Sequence, residues 1–245
     1  MKALVAVISC HKRLPWNVAI RSTWLPEIKS NVDVVFFYGR GEHQPLLEDE
    51  VILDCGDSYD CLPEKVRAVI RWAIDHDYDF LLKCDDDVVL RPDYFLKSGY
   101  GNRDFVGPSN GYAIVQGNLR DKVSVPWGFC YWLSRRAMEA VKNAPLPQDN
   151  NDEMWVSLTL APLGMRLCVD NRYYIHRGFP PPKEKGRRPL RRAEIPDKKA
   201  EDGVAFCIHV LSDGFNRAPM EISVEEFYKV FARYVGKATK PIVSA

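Results

Sequence analysis

The chain is 245 residues long, 46% hydrophobic and 27% charged, with a formal net charge of +1. That length and apolar content can bury a substantial core, and one domain over residues 1–245 is expected. The balanced charge gives no ground for a general nucleic-acid or membrane binder, and no run approaches ~18 uninterrupted apolar residues. The seven cysteines, Cys10, Cys55, Cys61, Cys84, Cys130, Cys168 and Cys207, cannot all pair and form no CxxC. Several sit in strand-like context, so buried free thiols in a reducing compartment are expected rather than a zinc site.

Residues 3–8 (ALVAVI) read as a fully buried strand. The interruption at His11, Lys12 and Arg13 follows too soon for a membrane span or a signal segment. A short helix is expected from about Asn17 to near Pro26. Val34–Tyr38 reads as a second strand closed by Gly39, Arg40 and Gly41, where GRGEHQ lacks the third glycine of a dinucleotide fingerprint. A short third strand is expected at Val51–Leu53. Val66, Val69, Ile70, Ala73 and Ile74 then fall at helical spacing behind Pro63, which predicts a helix over Pro63–Ile74.

The strand Phe80–Leu82 leads into Asp85, Asp86 and Asp87, and the apolar run Val88–Leu90 leaves them. Pro126–Ser134 (PWGFCYWLS) is aromatic and reads as strand or loop, Arg135–Asn143 as a short helix, and Asp152–Leu160 as a helix whose leading acids suit its positive end. In the Pro-rich stretch Arg177–Lys199, the bases from Lys183 onward outnumber the acids eight to three, and a loop is expected. A strand at Val204–Val210 and a helix from about Val224 to Val235 complete the chain. Alternating strands and helices predict an α/β fold with a mostly parallel sheet, flanked by helices and binding ligands beyond the strand carboxyl ends.

Three carboxylates crowded into one turn repel one another unless positive charge sits among them. An oxygen-liganded divalent cation is the simplest candidate, with an acidic surface turn as the competing reading.

Four stretches stand in one order: AIRSTW (19–24), DSYDCLPEK (57–65), KCDDDVVL (83–90) and DEMWVSLTL (152–160). Together they resemble the inverting β-1,3-glycosyltransferases of the galactosyltransferase and Fringe family, with its RxTW, DSYxNLTxK, KxDDD and EDVxVG elements. The resemblance implies a GT-A fold, a UDP-sugar donor, Mn2+ (or Mg2+) as cofactor, and transfer with inversion to a hydroxyl acceptor, by default a glycan. It puts the metal on Asp85 and Asp87, with a further ligand at His209 in VAFCIHVLS and His176 as second choice. The nucleotide-sugar positions become Ser9, Arg13, Arg21, Asp57, Lys65, Asp85, Asp86 and Gly128, although Asp86 has no assigned role of its own. The catalytic base falls on Glu153 or, because the acidic pair is inverted relative to the family, Asp152.

A diphosphate leaving group calls for a Lewis acid, and an inverting displacement for one base, which agrees with that assignment. Other readings stay open: Arg21 and Lys65 as surface charges, Trp24 as core packing, and Asp152 and Glu153 as helix-capping acids. Ser157 replaces a family glycine, and only Gly128 remains of a glycine-rich loop, which points to unusual donor or acceptor choice. The family's membrane anchor is missing, so a cytosolic bacterial or viral-host enzyme, or a chain trimmed of its anchor, is expected. The basic stretch leaves a nucleic-acid acceptor as the lesser alternative, and a non-catalytic nucleotide-sugar-binding domain is the alternative from another class. A phosphohydrolase lacks its DxDxT motif.

Overall fold

The computed structural model describes residues 2–28, 32–41, 46–91, 100–114, 122–170, 172–177, 207–211 and 220–234. The central sheet has seven strands. In chain order these are β1 (Ala3–Ile8), β2 (Val32–Tyr38), β3 (Glu50–Ile52), β4 (Phe80–Asp85), β6 (Phe105–Gly107), β9 (Cys130–Ser134) and β10 (Cys168–Val169). They lie in the spatial order β10-β6-β9-β4-β1-β2-β3. Four of the six adjacent pairs are parallel, and β9 alone runs against its neighbours β4 and β6. This is the mostly parallel α/β architecture that the strand and helix alternation predicts.

Both faces of the sheet are covered, which is why β1 is apolar throughout. Ala3, Val5 and Val7 point to one layer, with Trp16, Ile20 and Trp24 of the α1 region (α1, Leu14–Ser22) and Phe227, Val230 and Phe231 of α5 (Met220–Tyr234). Leu4, Ala6 and Ile8 point to the other, with α2 (Leu62–Asp75), α3 (Arg135–Val141) and α4 (Asp152–Leu160). The period-2 alternation of a strand thus sorts one run of six residues into two cores. Among the described residues, no helix is long and apolar enough to cross a membrane.

Two smaller sheets complete the architecture. In one, β5 (Val88–Leu90) pairs antiparallel with β12 (Cys207–Leu211), which pairs in parallel with β11 (Tyr173–Arg177). The other is the hairpin of β7 (Ser109–Ile114) and β8 (Lys122–Pro126).

Several boundaries differ from the sequence reading. Helix α1 starts at Leu14, because Pro15 is tolerated in a first turn, and it ends at Ser22. There the Thr23 hydroxyl donates back to the Ala19 carbonyl at 2.6 Å. Strand β4 runs on to Asp85 rather than stopping at Leu82, because Lys83 and Cys84 pair with Ala6 and Val7 on one side and with Tyr131 and Cys130 on the other. Residues 178–206, which include most of the basic Pro-rich stretch, lie outside the described residues. Cys10, Cys55, Cys61, Cys84, Cys130 and Cys168 are free thiols.

Parallel register assembles the site. Ile8 lies beside Phe37 on one flank and Asp85 on the other, so β1, β2 and β4 end together and deliver Ser9, Gly39 and Asp86 to one edge. Strand β9 enters from the opposite direction, and its leading loop, Trp127–Phe129, is brought to the same edge. There the Asp85 amide donates to the Phe129 carbonyl at 2.8 Å.

Candidate active site at the carboxyl edge of the sheet

The three aspartates have three different environments. Asp86 is 2% exposed and accepts from the Ser9 hydroxyl at 2.7 Å and from Arg13 Nε at 2.7 Å. Arg13 reaches across the turn, and its Nη2 also donates to Asp87 at 2.9 Å. Burial pushes the Asp86 carboxyl up to about 6, against the pull of Arg13. Asp85, with its side chain a third exposed, accepts from Lys83 Nζ at 2.5 Å. Its carboxyl is also raised by burial, with Lys83 opposing and Asp87 adding to the rise.

Lys83 lies within this cluster, although the motif reading quotes it without giving it a role. Its side chain is 1% exposed, and Nζ donates to both Asp85 and the Gly128 carbonyl and lies 4.0 Å from Asp152 Oδ2. Burial works against its charge, but Asp152 and Asp85 prevail and hold the ammonium well above its ordinary range. The signal was available: a lysine inside an apolar strand buried on both faces is rarely left without carboxylate partners.

Asp152 and Glu153 open α4, yet neither caps it. The cap is Asn151, whose Oδ1 accepts from the Met154 amide at 3.0 Å. Asp152 is fully buried and accepts from the Tyr131 hydroxyl at 2.6 Å. Its other oxygen, Oδ1, meets no hydrogen-bond donor among the described residues. Glu153 is half-buried, and its carboxyl is pushed up to about 7 by burial and then by the neighbouring charge of Asp152. A carboxyl in that range can exchange a proton near neutrality. Gly128 lies close against it: a Cβ there would stand 2.9 Å from Glu153 Oε2, so a larger residue would displace the carboxylate. The Gly128 backbone is thereby fastened to Lys83 on one side and lies against Glu153 on the other.

Asp57 and Lys65 form a second buried centre at the same edge. Their 2.7 Å ion pair leaves each side chain less than 5% exposed, which excludes Lys65 as a solvated surface charge. Lys65 also donates to the Ser9 carbonyl at 2.8 Å. Asp57 accepts from the amides of Gly39 at 2.6 Å and His11 at 3.0 Å. Burial alone would raise its carboxyl, but Lys65 and these amides hold it below the ordinary range. Gly39 has to be glycine, because a Cβ would run into the Gly56 backbone.

Arg21 belongs to another cluster. It pairs with Asp49 at 2.7 Å and Glu50 at 2.8 Å and lies over the Phe36 ring. Hydrogen bonds still join it to the acidic turn: Glu50 accepts from the Tyr38 hydroxyl, Asn17 donates to that hydroxyl and to Ser9, and Ser9 donates to Asp86. Trp24 is core, with Nε1 donating to the Val88 carbonyl at 3.0 Å, just past the turn. His209 pairs in register with Val88, the residue after Asp87, and His176 with Val210. The side chains of both histidines lie outside the described residues.

The family model described as Galactosyltransferase matches residues 17–116, the segment that carries Arg21, Asp57, Lys65 and the three aspartates. No curated protein sequence matches. Among solved structures, the chain is similar to a putative nucleotide-diphospho-sugar transferase from Desulfovibrio desulfuricans, at 9% identity over 96% of this chain and 99% of that one, with a TM-score of 0.46. It is also similar to a CMP:2-keto-3-deoxy-manno-octonic acid synthetase complexed with CTP, at 12% identity over 69% and 89%, with a TM-score of 0.45. Likenesses of that size put no site residues in correspondence. Over residues 17–116, less than half of its length, the chain is similar to the galactosyltransferase family.

Proposed function

We propose that the protein transfers a sugar from a UDP-sugar to a hydroxyl acceptor with inversion at the anomeric carbon, and that the reaction depends on a divalent cation. The observation that carries the reading is Glu153: one half-buried carboxyl, raised to about 7, packed against Gly128, whose carbonyl accepts from the same Lys83 ammonium that holds Asp85. The acidic turn is then the donor side, and Glu153 faces the acceptor.

The residues fit a divalent cation in donor type and in charge. Asp85 and Asp87 offer hard oxygen ligands. Five carboxylates, Asp85, Asp86, Asp87, Asp152 and Glu153, share the edge with Arg13 and Lys83, a surplus of negative charge that a diphosphate would only deepen. Among the described residues no three potential ligands gather on one point, so the third protein ligand is left to His209, by its register beside Val88. When bound, the cation would neutralise the charge that develops on the leaving diphosphate.

The chain's own groups account for the rest. Glu153 accepts the proton of the attacking hydroxyl as that oxygen bonds to the anomeric carbon. The bond from that carbon to the diphosphate oxygen breaks, and its electron pair leaves with UDP. Lys83 fixes Asp85 and the Gly128 backbone, so the donor and acceptor sides keep one spacing. Arg13 holds the turn closed by spanning Asp86 and Asp87. The Asp57–Lys65 pair pins the loops after β1 and β2, which border the nucleotide side.

The test is UDP release from UDP-glucose, UDP-galactose and UDP-N-acetylglucosamine with Mn2+, with and without EDTA, alongside UDP binding by calorimetry. Release that EDTA abolishes is the expected result. Absence of both UDP binding and metal-dependent release from every donor would sink the reading.

A further inference from the structure

Much of the acidic turn's charge is answered from within the chain. Lys83 meets Asp85, and Arg13 meets both Asp86 and Asp87, so each aspartate has an internal cation beside it. The fold delivers Arg13 to that place. Strand β1 ends at Ile8, the short turn His11–Arg13 follows, and the Arg13 amide donates to the Cys10 carbonyl at 2.8 Å before Pro15 sets the start of α1. The guanidinium lies over the buried Trp16 ring, 5.2 Å from its centroid. Its Nε donates to Asp86 Oδ1 at 2.7 Å, and Nη2 stands 2.6 Å from the same oxygen. Those contacts face inward, where the Asp86 side chain is 3% exposed. The bond from Nη2 to Asp87 Oδ2, at 2.9 Å, lies at the rim, where the Arg13 side chain is 33% exposed and that of Asp87 15%. Burial works against the Arg13 charge, but Asp86 and Asp87 prevail and hold it well above its ordinary range. The guanidinium therefore cannot give way by losing its proton.

We propose that Arg13 is an internal competitor for the divalent cation: Nη2 and the cation contend for the same Asp87 oxygen, so a cation takes Asp87 only by displacing that branch of the guanidinium. The proposal rests on the reading of Asp85 and Asp87 as metal ligands. A carboxylate oxygen that accepts from a guanidinium has given part of its charge to that hydrogen bond, and the guanidinium repels a second cation brought to the same oxygen. Partial burial of the pair strengthens both effects, because water screens them less. Asp86 is not open to the cation in the same way, since Ser9 fills one of its oxygens and Arg13 the other. Lys83 stands beside Asp85 in a corresponding position, but it is 1% exposed and also held by the Gly128 carbonyl and Asp152, which keeps it in place. Arg13 has an exposed branch that can turn away while Nε stays on Asp86. The chain thereby holds a divalent cation less tightly than three adjacent carboxylates suggest.

The experiment measures Mn2+ binding to the full chain by calorimetry without nucleotide, with urea midpoints to establish that each variant is folded. Arg13→Gln keeps an amide that can donate to Asp86 but removes the charge, and it should bind Mn2+ about tenfold or more tightly than the parent. Adding Asp87→Asn to Arg13→Gln should abolish that gain. Lys12→Gln removes the same charge from an exposed neighbour on the same turn, and should change the affinity by less than about threefold. Should Arg13→Gln fail to fold, Arg13→Lys carries the test. It keeps a charge for Asp86 without a second branch for Asp87, and should still bind Mn2+ more than about threefold more tightly than the parent. Parent-like or weaker Mn2+ binding by the folded Arg13 variants overturns the proposal. An equal gain in Lys12→Gln, or a gain that survives Asp87→Asn, overturns it too. If neither the parent nor any variant binds Mn2+, with UDP or without it, the metal reading itself falls. If UDP release is EDTA-sensitive while the Arg13 variants keep the parent's Mn2+ affinity, the competitor role falls alone.

Discussion

Replacing Glu153 with Gln removes a group whose charged form the fold disfavours. Its carboxyl stands at about 7 in the folded chain against an ordinary 4.5. Below 4.5 both states are protonated and the difference vanishes. Between 4.5 and about 7 the unfolded chain gives up its proton while the folded chain keeps it, so stability falls as pH rises. Above about 7 the folded protein carries the full cost. Taken at face value, the shift corresponds to about 3 kcal/mol, and partial exposure together with coupling to Asp152 reduces this to about 1–2 kcal/mol. Gln is neutral throughout, so Glu153→Gln should match the parent near pH 5 and exceed it by that amount near pH 8, read from urea midpoints by intrinsic fluorescence. The same substitution should lower acceptor-dependent turnover about 10²–10⁴-fold, with UDP affinity unchanged. In the parent protein, turnover should rise with pH through about 7, because only the ionised base accepts a proton. A stability difference that does not change with pH would refute the raised carboxyl, and turnover within a few-fold of the parent would move the base to Asp152.

Arg13→Leu leaves the buried Asp86 carboxylate with Ser9 as its remaining hydrogen-bond partner of those described above, and should cost about 2–4 kcal/mol in urea denaturation. Gly128→Ala sets a methyl 2.9 Å from Glu153 Oε2; because the flexible carboxylate can move, stability should change by less than about 1 kcal/mol, while turnover falls by about tenfold or more as the base shifts. Ser134→Ala removes the α3 cap, where Oγ accepts from the Ala137 amide at 3.2 Å and donates to Asp104 at 2.6 Å. It should cost about 1–2 kcal/mol in stability and leave turnover per folded molecule unchanged, because Ser134 sits at the end of β9 remote from the site.

The elements legible in the sequence are those whose signal is local. An unbroken apolar run gave β1, helical spacing behind Pro63 gave α2, and the acids at 152–153 marked the start of α4. The short strands β6, β7, β8 and β10 carry no comparable signal, and the β7 chain contains Gly111 at φ +129°. What makes them strands is pairing with partners distant in sequence. The same holds for β5, readable as an apolar run but not as a strand paired with β12, more than a hundred residues on. Within the site, the motifs named the carboxylates and their order along the chain. They could not show that Arg13 spans two of the three aspartates, nor that Lys83 lies between Asp85 and Asp152. Those are facts of register, fixed by Ile8 lying beside Asp85 and by Lys83 lying opposite Tyr131.

That register also explains why three adjacent aspartates are tolerable here. In a strand continuing into a turn, successive side chains point to different sides, so the run is divided among separate partners rather than stacked in one place. Asp86 turns inward to Ser9 and Arg13 and is structural. Asp87 shares Arg13 at the rim. Asp85 turns toward Lys83 and, through it, toward Gly128, Asp152 and Glu153. Changing Asp86 would therefore loosen the turn, whereas changing Asp85 would remove one of the carboxylates that hold Lys83 between the turn and Asp152.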